Sequence, residues 1–97
     1  MVKITNEQGG SQSAIDGRYD LVPALALLEI AKVVEYGATE YGELNWEKIS
    51  PLDHINHALA HTHHATDIIL HGSGDYMTEL THAATRLMFA IDRLKRK

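Results

Sequence analysis

The sequence predicts an all-α fold, a bundle of three main helices that oligomerisation completes. Apolar residues recur at steps of three and four in three stretches, and no stretch alternates polar and apolar residues over the length of a strand. The 97 residues make one small domain, near the lower limit of what can bury a core alone. We therefore expect a loop or arm over residues 1–19 and one helical domain over residues 20–97.

Composition excludes several classes of protein. The net charge of −4 argues against a nucleic-acid-binding protein, because phosphate contacts need a basic surface. There is no cysteine, which excludes disulfides and thiolate metal sites. The polar, Gly- and Ser-containing N-terminal segment does not resemble a signal peptide, and no apolar run is long enough to cross a membrane. We expect a cytoplasmic protein that binds neither nucleic acid nor membranes.

The first helix is predicted to begin at Leu21, with Asp20 as its cap and Pro23 in its first turn. Gly42 is predicted to end it. Its apolar positions cover more than one side, so we expect this helix to be buried on several faces. These positions are Leu25, Leu27, Leu28, Ile30, Ala31, Val34, Ala38 and Tyr41.

The second helix is predicted from Ser50, a cap followed by Pro51, to about Leu70, and the third from Asp75 to the C-terminus. Each helix has one line of apolar residues at helical spacing, which we call its apolar seam and expect to form the core. The seam of the second helix is Leu52, Ile55, Leu59, Thr62, Thr66 and Ile69, and that of the third is Met77, Leu80, Ala84, Leu87, Ile91 and Leu94.

Histidine is the most unusual feature of the sequence, with all seven histidines between positions 54 and 82. Five of them share one face of the second helix, roughly opposite its apolar seam, and we call this line the histidine stripe. The stripe is His54, His57, His61, His64 and His71, and a mixed stripe on the third helix is Asp75, Glu79, His82, Arg86 and Arg93. If the two helices are neighbours, imidazoles and carboxylates converge in a set that suits Mn²⁺, Zn²⁺ or Fe²⁺ better than Ca²⁺.

Solvation is the simpler interpretation of an exposed histidine face. The matching mixed stripe on the next helix favours a metal site over that alternative, as does the low chance of five histidines aligning. His63 lies off the line and is expected to be a bystander.

Four segments resemble a known family. They are Gly17–Pro23, Glu35–Ala38, Tyr41–Gly42 and Asn45–Lys48. They are similar to the phage-associated dATP/dGTP diphosphohydrolases of the MazZ type, within the broader MazG-like all-α nucleotide pyrophosphatases. The resemblance covers roughly residues 17–92 and implies that residues 20–97 form a MazG-like catalytic domain.

The resemblance also implies a metal site. MazG-like enzymes carry Glu-x-x-Glu on one helix and Glu-x-x-Asp on the next, and the corresponding residues in this chain are His61, His64, Glu79 and His82, with Asp67 as a further candidate. Glu79 and His61 would be the catalytic members. Histidine replaces a carboxylate at three of the four positions, which shifts the preference from Mg²⁺ toward a transition metal. We expect a divalent cofactor, Mn²⁺ or Mg²⁺, with another transition metal left open.

The implied reaction is attack of water on the α-phosphorus of a purine deoxynucleoside triphosphate, dGTP or dATP, which releases a monophosphate and pyrophosphate. Candidate substrate-binding residues are Arg18, Asp20, Glu35, Asn45, Trp46 and Arg86. Three of these have structural alternatives: Trp46 can be a core residue, Arg86 can pair with an acid, and Glu35 can simply reach the surface.

Other functions stay open. The replaced carboxylates allow a non-catalytic, histidine-rich helical module that binds a metal or a nucleotide. A His-Asp phosphohydrolase is disfavoured because the chain has no His-Asp dipeptide. A purely structural helical dimer leaves both polar stripes unexplained. So short a chain can bury little surface within itself, and association would bury more. We therefore expect a homodimer or homotetramer.

Overall fold

The computed structural model of the chain describes residues 3–96 and confirms the all-α class. Its three helices are α1 (Ala24–Tyr41), α2 (Pro51–His71) and α3 (Tyr76–Lys95). Most of the contacts between elements join α2 to α3, and α1 lies against α3. No helix of the described residues is long and apolar enough to cross a membrane.

The N-terminal arm contains a hairpin that the sequence analysis missed. Strands β1 (Lys3–Thr5) and β2 (Ser11–Ser13) pair antiparallel, with Ile4 opposite Gln12. The side chain of Asn6 closes the turn, since its Oδ1 accepts hydrogen bonds from the backbone N–H groups of Gln8 and Gly10 at 3.0 and 2.9 Å. Three-residue strands are too short to show a period of two, so the only available signal was the turn chemistry.

Helix α1 begins three residues later than predicted. Tyr19–Leu21 form a separate 3₁₀ turn, and Val22 is extended with ψ of 128°. Val22 precedes Pro23, and the proline ring disfavours helical backbone in the residue before it. The prediction of a start at Leu21 was therefore wrong, whereas the end at Gly42, where φ is 100°, is confirmed.

The predicted starts of α2 and α3 are confirmed by their caps. The Ser50 hydroxyl accepts a hydrogen bond from the backbone N–H of Asp53 at 3.1 Å. The Asp75 carboxylate accepts one from the backbone N–H of Thr78 at 2.9 Å. Each cap satisfies a backbone donor that the first helical turn leaves without a partner. The two caps and the short connection 72–75 set α2 and α3 side by side.

The core between α2 and α3 consists of small side chains and one histidine. Its buried members are His54, Ala58, Ala65, Thr81, Ala83, Thr85 and Ala90. The prediction that the apolar seams form the core was wrong, because Leu52 is 77% exposed and Ile91 67% exposed. Small residues let the two helix backbones approach closely, so the close contact takes the alanine and threonine faces and leaves the large apolar side chains outside.

Helix α1 was predicted to be buried on several sides, and within the single chain it is not. None of its residues is buried, and Leu25, near its start, is 80% exposed. The helix contacts α3 through one edge only, where Val33, Val34 and Ala38 are half-buried. Its other apolar residues remain on the surface of the single chain.

Candidate metal centre and adjoining pocket

Two histidines of α2 and one glutamate of α3 meet at the interface of these helices. Nδ1 of His61 lies 2.6 Å from Oε2 of Glu79, and Nδ1 of His64 lies 3.6 Å from the same oxygen. One ligand atom from each residue lies within 4.8 Å of the others. The three atoms are therefore close enough to share one metal ion. The sequence analysis made this convergence conditional on α2 and α3 being neighbours, and the two helices are in contact.

His82 borders this group from α3. Its ring centroid lies 5.2 Å from that of His61. Burial lowers the pKa of His82, and the nearby His61 lowers it further, so this imidazole stays neutral to a lower pH than a free histidine. A neutral imidazole is the form that binds metal.

The charge of Glu79 is stabilised where it lies. The hydrogen bond from His61 lowers the pKa of the Glu79 carboxyl below its ordinary value, which keeps it ionised near neutral pH. Two imidazole nitrogens and one carboxylate oxygen form a donor set found in catalytic zinc sites, and they suit other transition metals as well. The residues present thus fit a divalent transition metal, with His82 as the nearest additional ligand.

The remaining predicted ligand, Asp67, is not part of this group. It lies on α2, three residues beyond His64, and its side chain is exposed. The group that the structure brings together within residues 3–96 is His61, His64 and Glu79. Asp67 stays a candidate by resemblance alone.

A pocket of about 220 Å³ opens beside the candidate metal centre. It lies between α1, the 3₁₀ turn Asn45–Lys48, the first turn of α2 and the middle of α3. His82 lines it at one side, so the pocket and the candidate metal centre adjoin. Its other walls include Val33, Gly37, Tyr41, Asn45, Trp46, Ile49, His54, Arg86 and Phe89.

Two buried polar atoms on the walls of this pocket have no hydrogen-bond partner. They are Nδ1 of His54 and Nε of Arg86. Burial also lowers the pKa of Arg86. Buried polar atoms are nearly always hydrogen-bonded, so two such atoms without protein partners are an unusual feature of the residues around this pocket.

The sequence analysis placed His54 in the histidine stripe but gave it no role. The available signal was its phase on the helix, since His54, Ala58, His61 and Ala65 lie at steps of four, three and four. This face is the one that packs on α3, whereas His57 and His64 lie toward solvent. Of the stripe histidines outside the candidate metal centre, His54 is buried, whereas His57 and His71 are exposed.

Trp46 and Asn45, two of the predicted substrate-binding residues, line the pocket. The Trp46 ring stacks on Phe89 with a centroid distance of 4.7 Å and an interplanar angle of 9°. The Arg96 guanidinium lies over the Trp46 ring at 5.5 Å from its centroid. The Trp46 ring is therefore held by an aromatic stack with Phe89 and by a cation–π contact with Arg96.

Three further predicted substrate-binding residues lie elsewhere. Arg18 and Asp20 bind each other through two hydrogen bonds of 2.7 and 2.6 Å, and both are exposed. This contact lowers the pKa of Asp20. Glu35 is exposed on α1 and does not line the pocket, although its neighbours Val34 and Tyr36 do. The structure does not bring these three residues to the metal centre.

The sequence analysis also missed an ion pair beside the metal centre. Lys32 Nζ lies 3.2 Å from Glu29 Oε1, and both residues line a second pocket that His82 shares. Spacing of three residues on one helix is a signal for such a pair, but it occurs on many solvated helices.

Comparison with protein families gave one match. A family model described as dATP/dGTP diphosphohydrolase, N-terminal, matches residues 6–97, which includes all three helices and both stripes. Searches of curated proteins and of solved structures found no match. The chain therefore belongs to the dATP/dGTP diphosphohydrolase family, in the part that the family model describes as N-terminal.

Proposed function

We propose that the chain is a metal-dependent nucleotide pyrophosphohydrolase that cleaves dATP or dGTP to the monophosphate and pyrophosphate. The observation that carries this proposal is the convergence of His61, His64 and Glu79 beside a pocket with buried, unpartnered polar atoms. A metal-binding group next to a ligand-sized cavity is the arrangement that metal-assisted hydrolysis requires. The family match supports the substrate class.

His61, His64 and Glu79 would hold the ion, with His82 completing the set and Asp67 as a further candidate. The ion would neutralise phosphate charge and lower the pKa of a bound water. Glu79 keeps its negative charge at neutral pH, and it also orients His61 through their hydrogen bond. Three of these four donors are imidazoles, which bind a divalent transition metal more strongly than Mg²⁺. We therefore propose a transition metal ahead of Mg²⁺, with Mn²⁺ as one candidate and Zn²⁺ or Fe²⁺ as the ions that imidazole donors suit best.

Arg86 is proposed to bind the phosphates. It lies one turn beyond His82 on α3, and its guanidinium is half-buried in the pocket wall. Planar guanidinium groups match phosphate oxygens with two parallel hydrogen bonds. The order His82, Arg86, Phe89 along α3 then runs from the metal through the phosphates to the apolar end of the pocket, where the base would lie.

We further propose that copies of the chain associate. The apolar seams face outward, and Leu87, Ile91 and Leu94 make an exposed line along α3. Exposed apolar surface of this extent marks association in a soluble protein. A homodimer or homotetramer in the cytoplasm fits this surface.

A second candidate function is a non-catalytic module that binds metal or nucleotide. It is favoured by a single observation: Glu79 is the only carboxylate in the group of three ligands, where the broader MazG-like motif has acidic residues. A site with less negative charge holds fewer cations, so loss of turnover with retained binding is the expected behaviour of such a module.

One assay separates the two functions. Purified protein is incubated with dATP, dGTP, dCTP or dTTP in the presence of Mn²⁺, Mg²⁺ or Zn²⁺, and both pyrophosphate and inorganic phosphate are measured. The proposed enzyme releases pyrophosphate and a purine monophosphate. Release of inorganic phosphate with a diphosphate product contradicts the reaction, and metal binding without any product supports the binding module.

A further inference from the structure

Two pockets adjoin along the groove between α1 and α3. The first is the pocket beside the candidate metal centre, and the second has a volume of about 190 Å³. They share three lining residues, Val33, Tyr36 and His82. Along α3, the first pocket runs from His82 forward to Phe89, and the second runs from His82 back to Met77. The two pockets therefore form one groove with His82 near its middle.

The shape of this groove suits an elongated ligand. Met77 and Phe89 are twelve residues apart on α3, which is about 18 Å along the helix axis. A nucleoside triphosphate is elongated, with its α-phosphate between the sugar and the other two phosphates. The proposed function puts the base near Phe89 and the α-phosphate at the metal beside His82. An extended triphosphate then carries its β- and γ-phosphates past His82 and into the second pocket.

The second pocket holds a positive charge that is accessible to a ligand. Among the described residues that line it, Lys32 is the one with a full positive charge. The hydroxyls of Thr78 and Thr81 also line this pocket, but both already donate hydrogen bonds within the α3 segment. The Lys32 side chain is 62% exposed, so a phosphate can reach it from solvent. A lysine ammonium binds phosphate as a point charge on a flexible stem.

An acid occupies this ammonium in the ligand-free chain. Nζ of Lys32 lies 3.2 Å from Oε1 of Glu29, whose side chain is 43% exposed and lines the same pocket. An exposed ion pair of this kind contributes little to stability, so its partners exchange at low cost. A phosphate group carries more negative charge than one carboxylate and competes with Glu29 for the ammonium.

We propose that Lys32 binds the β- and γ-phosphates of the substrate and that Glu29 is the internal anion they displace. This inference rests on the proposed function, which places the nucleotide in the groove. Arg86 lies on the other side of His82 and would hold the α-phosphate. Lys32 then distinguishes a triphosphate from a monophosphate, so the monophosphate product loses this contact when pyrophosphate leaves.

The test measures binding to the whole chain in the presence of Mn²⁺, so it does not depend on turnover. The probes are dATP and dGTP analogues in which a methylene group replaces the oxygen between the α- and β-phosphorus, and they are compared with dAMP and dGMP. The proposed cleavage cannot occur in these analogues. Isothermal titration calorimetry gives the affinity of each probe for the wild-type chain and for each variant.

We expect Lys32→Gln to weaken binding of the triphosphate analogue at least about 10-fold and to leave monophosphate binding unchanged. Glu29→Gln should strengthen binding of the analogue about 3-fold, because it frees the ammonium and removes a repelling charge. These opposite directions separate phosphate binding from a structural role of the ion pair, which would weaken binding in both variants. Lys95→Gln and Glu40→Gln, exposed residues outside both pockets, are the matched controls and should change neither affinity.

Several results overturn the inference while leaving the proposed function intact. They are an unchanged affinity for the analogue in Lys32→Gln, an equal loss for the analogue and the monophosphate, an equal loss in Lys95→Gln, and weaker binding in Glu29→Gln. If the wild-type chain binds no purine nucleotide, the proposed function fails and the inference fails with it. If the expected differences occur but no triphosphate yields pyrophosphate, the proposed catalysis fails and the role of Lys32 stands.

Discussion

The Nδ1 atom of His61 lies 2.6 Å from Oε2 of Glu79 and joins α2 to α3 at the candidate metal centre. The hydrogen bond holds the carboxylate ionised and fixes the orientation of the imidazole. Each of these two residues therefore depends on the other for its position. The centre as a whole depends on the packing of the two helices.

We predict that Glu79→Gln and His61→Ala each weaken Mn²⁺ binding at least 10-fold, a magnitude typical of lost metal ligands or their partners. Pyrophosphate release should fall with it. Isothermal titration calorimetry and the release assay measure the two effects, and circular dichroism checks that the helices persist. His63→Ala is the control, and equal affinities in His61→Ala and His63→Ala would show that the ligands were assigned to the wrong face.

Metal binding should weaken as the pH falls through the range of histidine protonation. Imidazoles bind metal only when neutral, and a free imidazole has a pKa of about 6.5, so protons compete with the ion. Burial lowers the pKa of His82, so His82 retains its ligand form to a lower pH than a free histidine. Metal affinity measured between about pH 5 and 8 tests this. A metal affinity that does not change across that pH range would contradict a site made mainly of imidazoles.

The metal-free fold should lose stability as the pH decreases below about 6.5. His54 and His82 have pKa values lowered from 6.5 by burial, so in this window the unfolded chain binds more protons than the folded chain. The free energy of unfolding must then fall as the pH falls. Glu79, with a pKa lowered from 4.5, adds a loss of stability only in a more acidic window.

Urea denaturation in the presence of a chelator, at about pH 7.5 and pH 5.5, measures this slope. His54→Gln should reduce the slope because it removes one of the two responsible groups. His63→Ala should leave the slope unchanged, since His63 is exposed. A free energy of unfolding that rises toward acid pH would contradict the buried, neutral state of His54.

Arg93 should contribute more to the free energy of unfolding than Arg96, because Arg93 ties α3 to the segment that forms one pocket wall. Its guanidinium donates hydrogen bonds from α3 to the backbone carbonyls of Glu47 and Ile49. Hydrogen bonds of charged groups contribute about 1.5–3 kcal/mol, so Arg93→Met should cost about 2 kcal/mol. Arg96→Met is the control and should cost less than about 1 kcal/mol, because the Arg96 side chain is exposed in both of its ion pairs. If chemical denaturation gives equal losses of unfolding free energy for Arg93→Met and Arg96→Met, the role of Arg93 is refuted.

Association should be concentration-dependent and sensitive to the exposed seam of α3. Light scattering should give a mass above the 10.8 kDa of one chain at micromolar concentration. Ile91→Glu should shift the protein toward the single-chain mass, because a charge would be buried in the interface. Lys95→Glu, at the exposed end of the same helix, serves as the control. If light scattering gives the wild-type protein the mass of a single chain, this prediction is contradicted.

The existence of the three helices and the starts of α2 and α3 were predictable because they depend on local chemistry. Ser50 and Asp75 are caps with their partners a few residues away, so the sequence alone reveals them. The convergence of the histidine stripe with Glu79 was predictable for a related reason: helical periodicity places the stripes, and one short connection makes the helices neighbours.

Burial was less predictable, because it depends on which faces meet. The sequence analysis assigned the core to large apolar residues such as Leu59, yet Leu59 is 57% exposed and the neighbouring Ala58 is 2% exposed. A hydrophobicity pattern cannot distinguish a face that packs within the chain from one that packs against another molecule. The burial of His54 was hidden by the same ambiguity.

The alanines between α2 and α3 have a consequence for the metal centre. Ala65 is 1% exposed and lies one turn beyond His61 on the packed face, so its methyl group helps to set how far apart the ligand-bearing helices stand. Replacement by valine would widen that gap without touching any donor atom. The reach from His61 to Glu79 would lengthen, and a small ion would be held less well than a larger one. Side-chain volume at a residue that supplies no donor atom would thus be a means to tune which metal the proposed centre prefers.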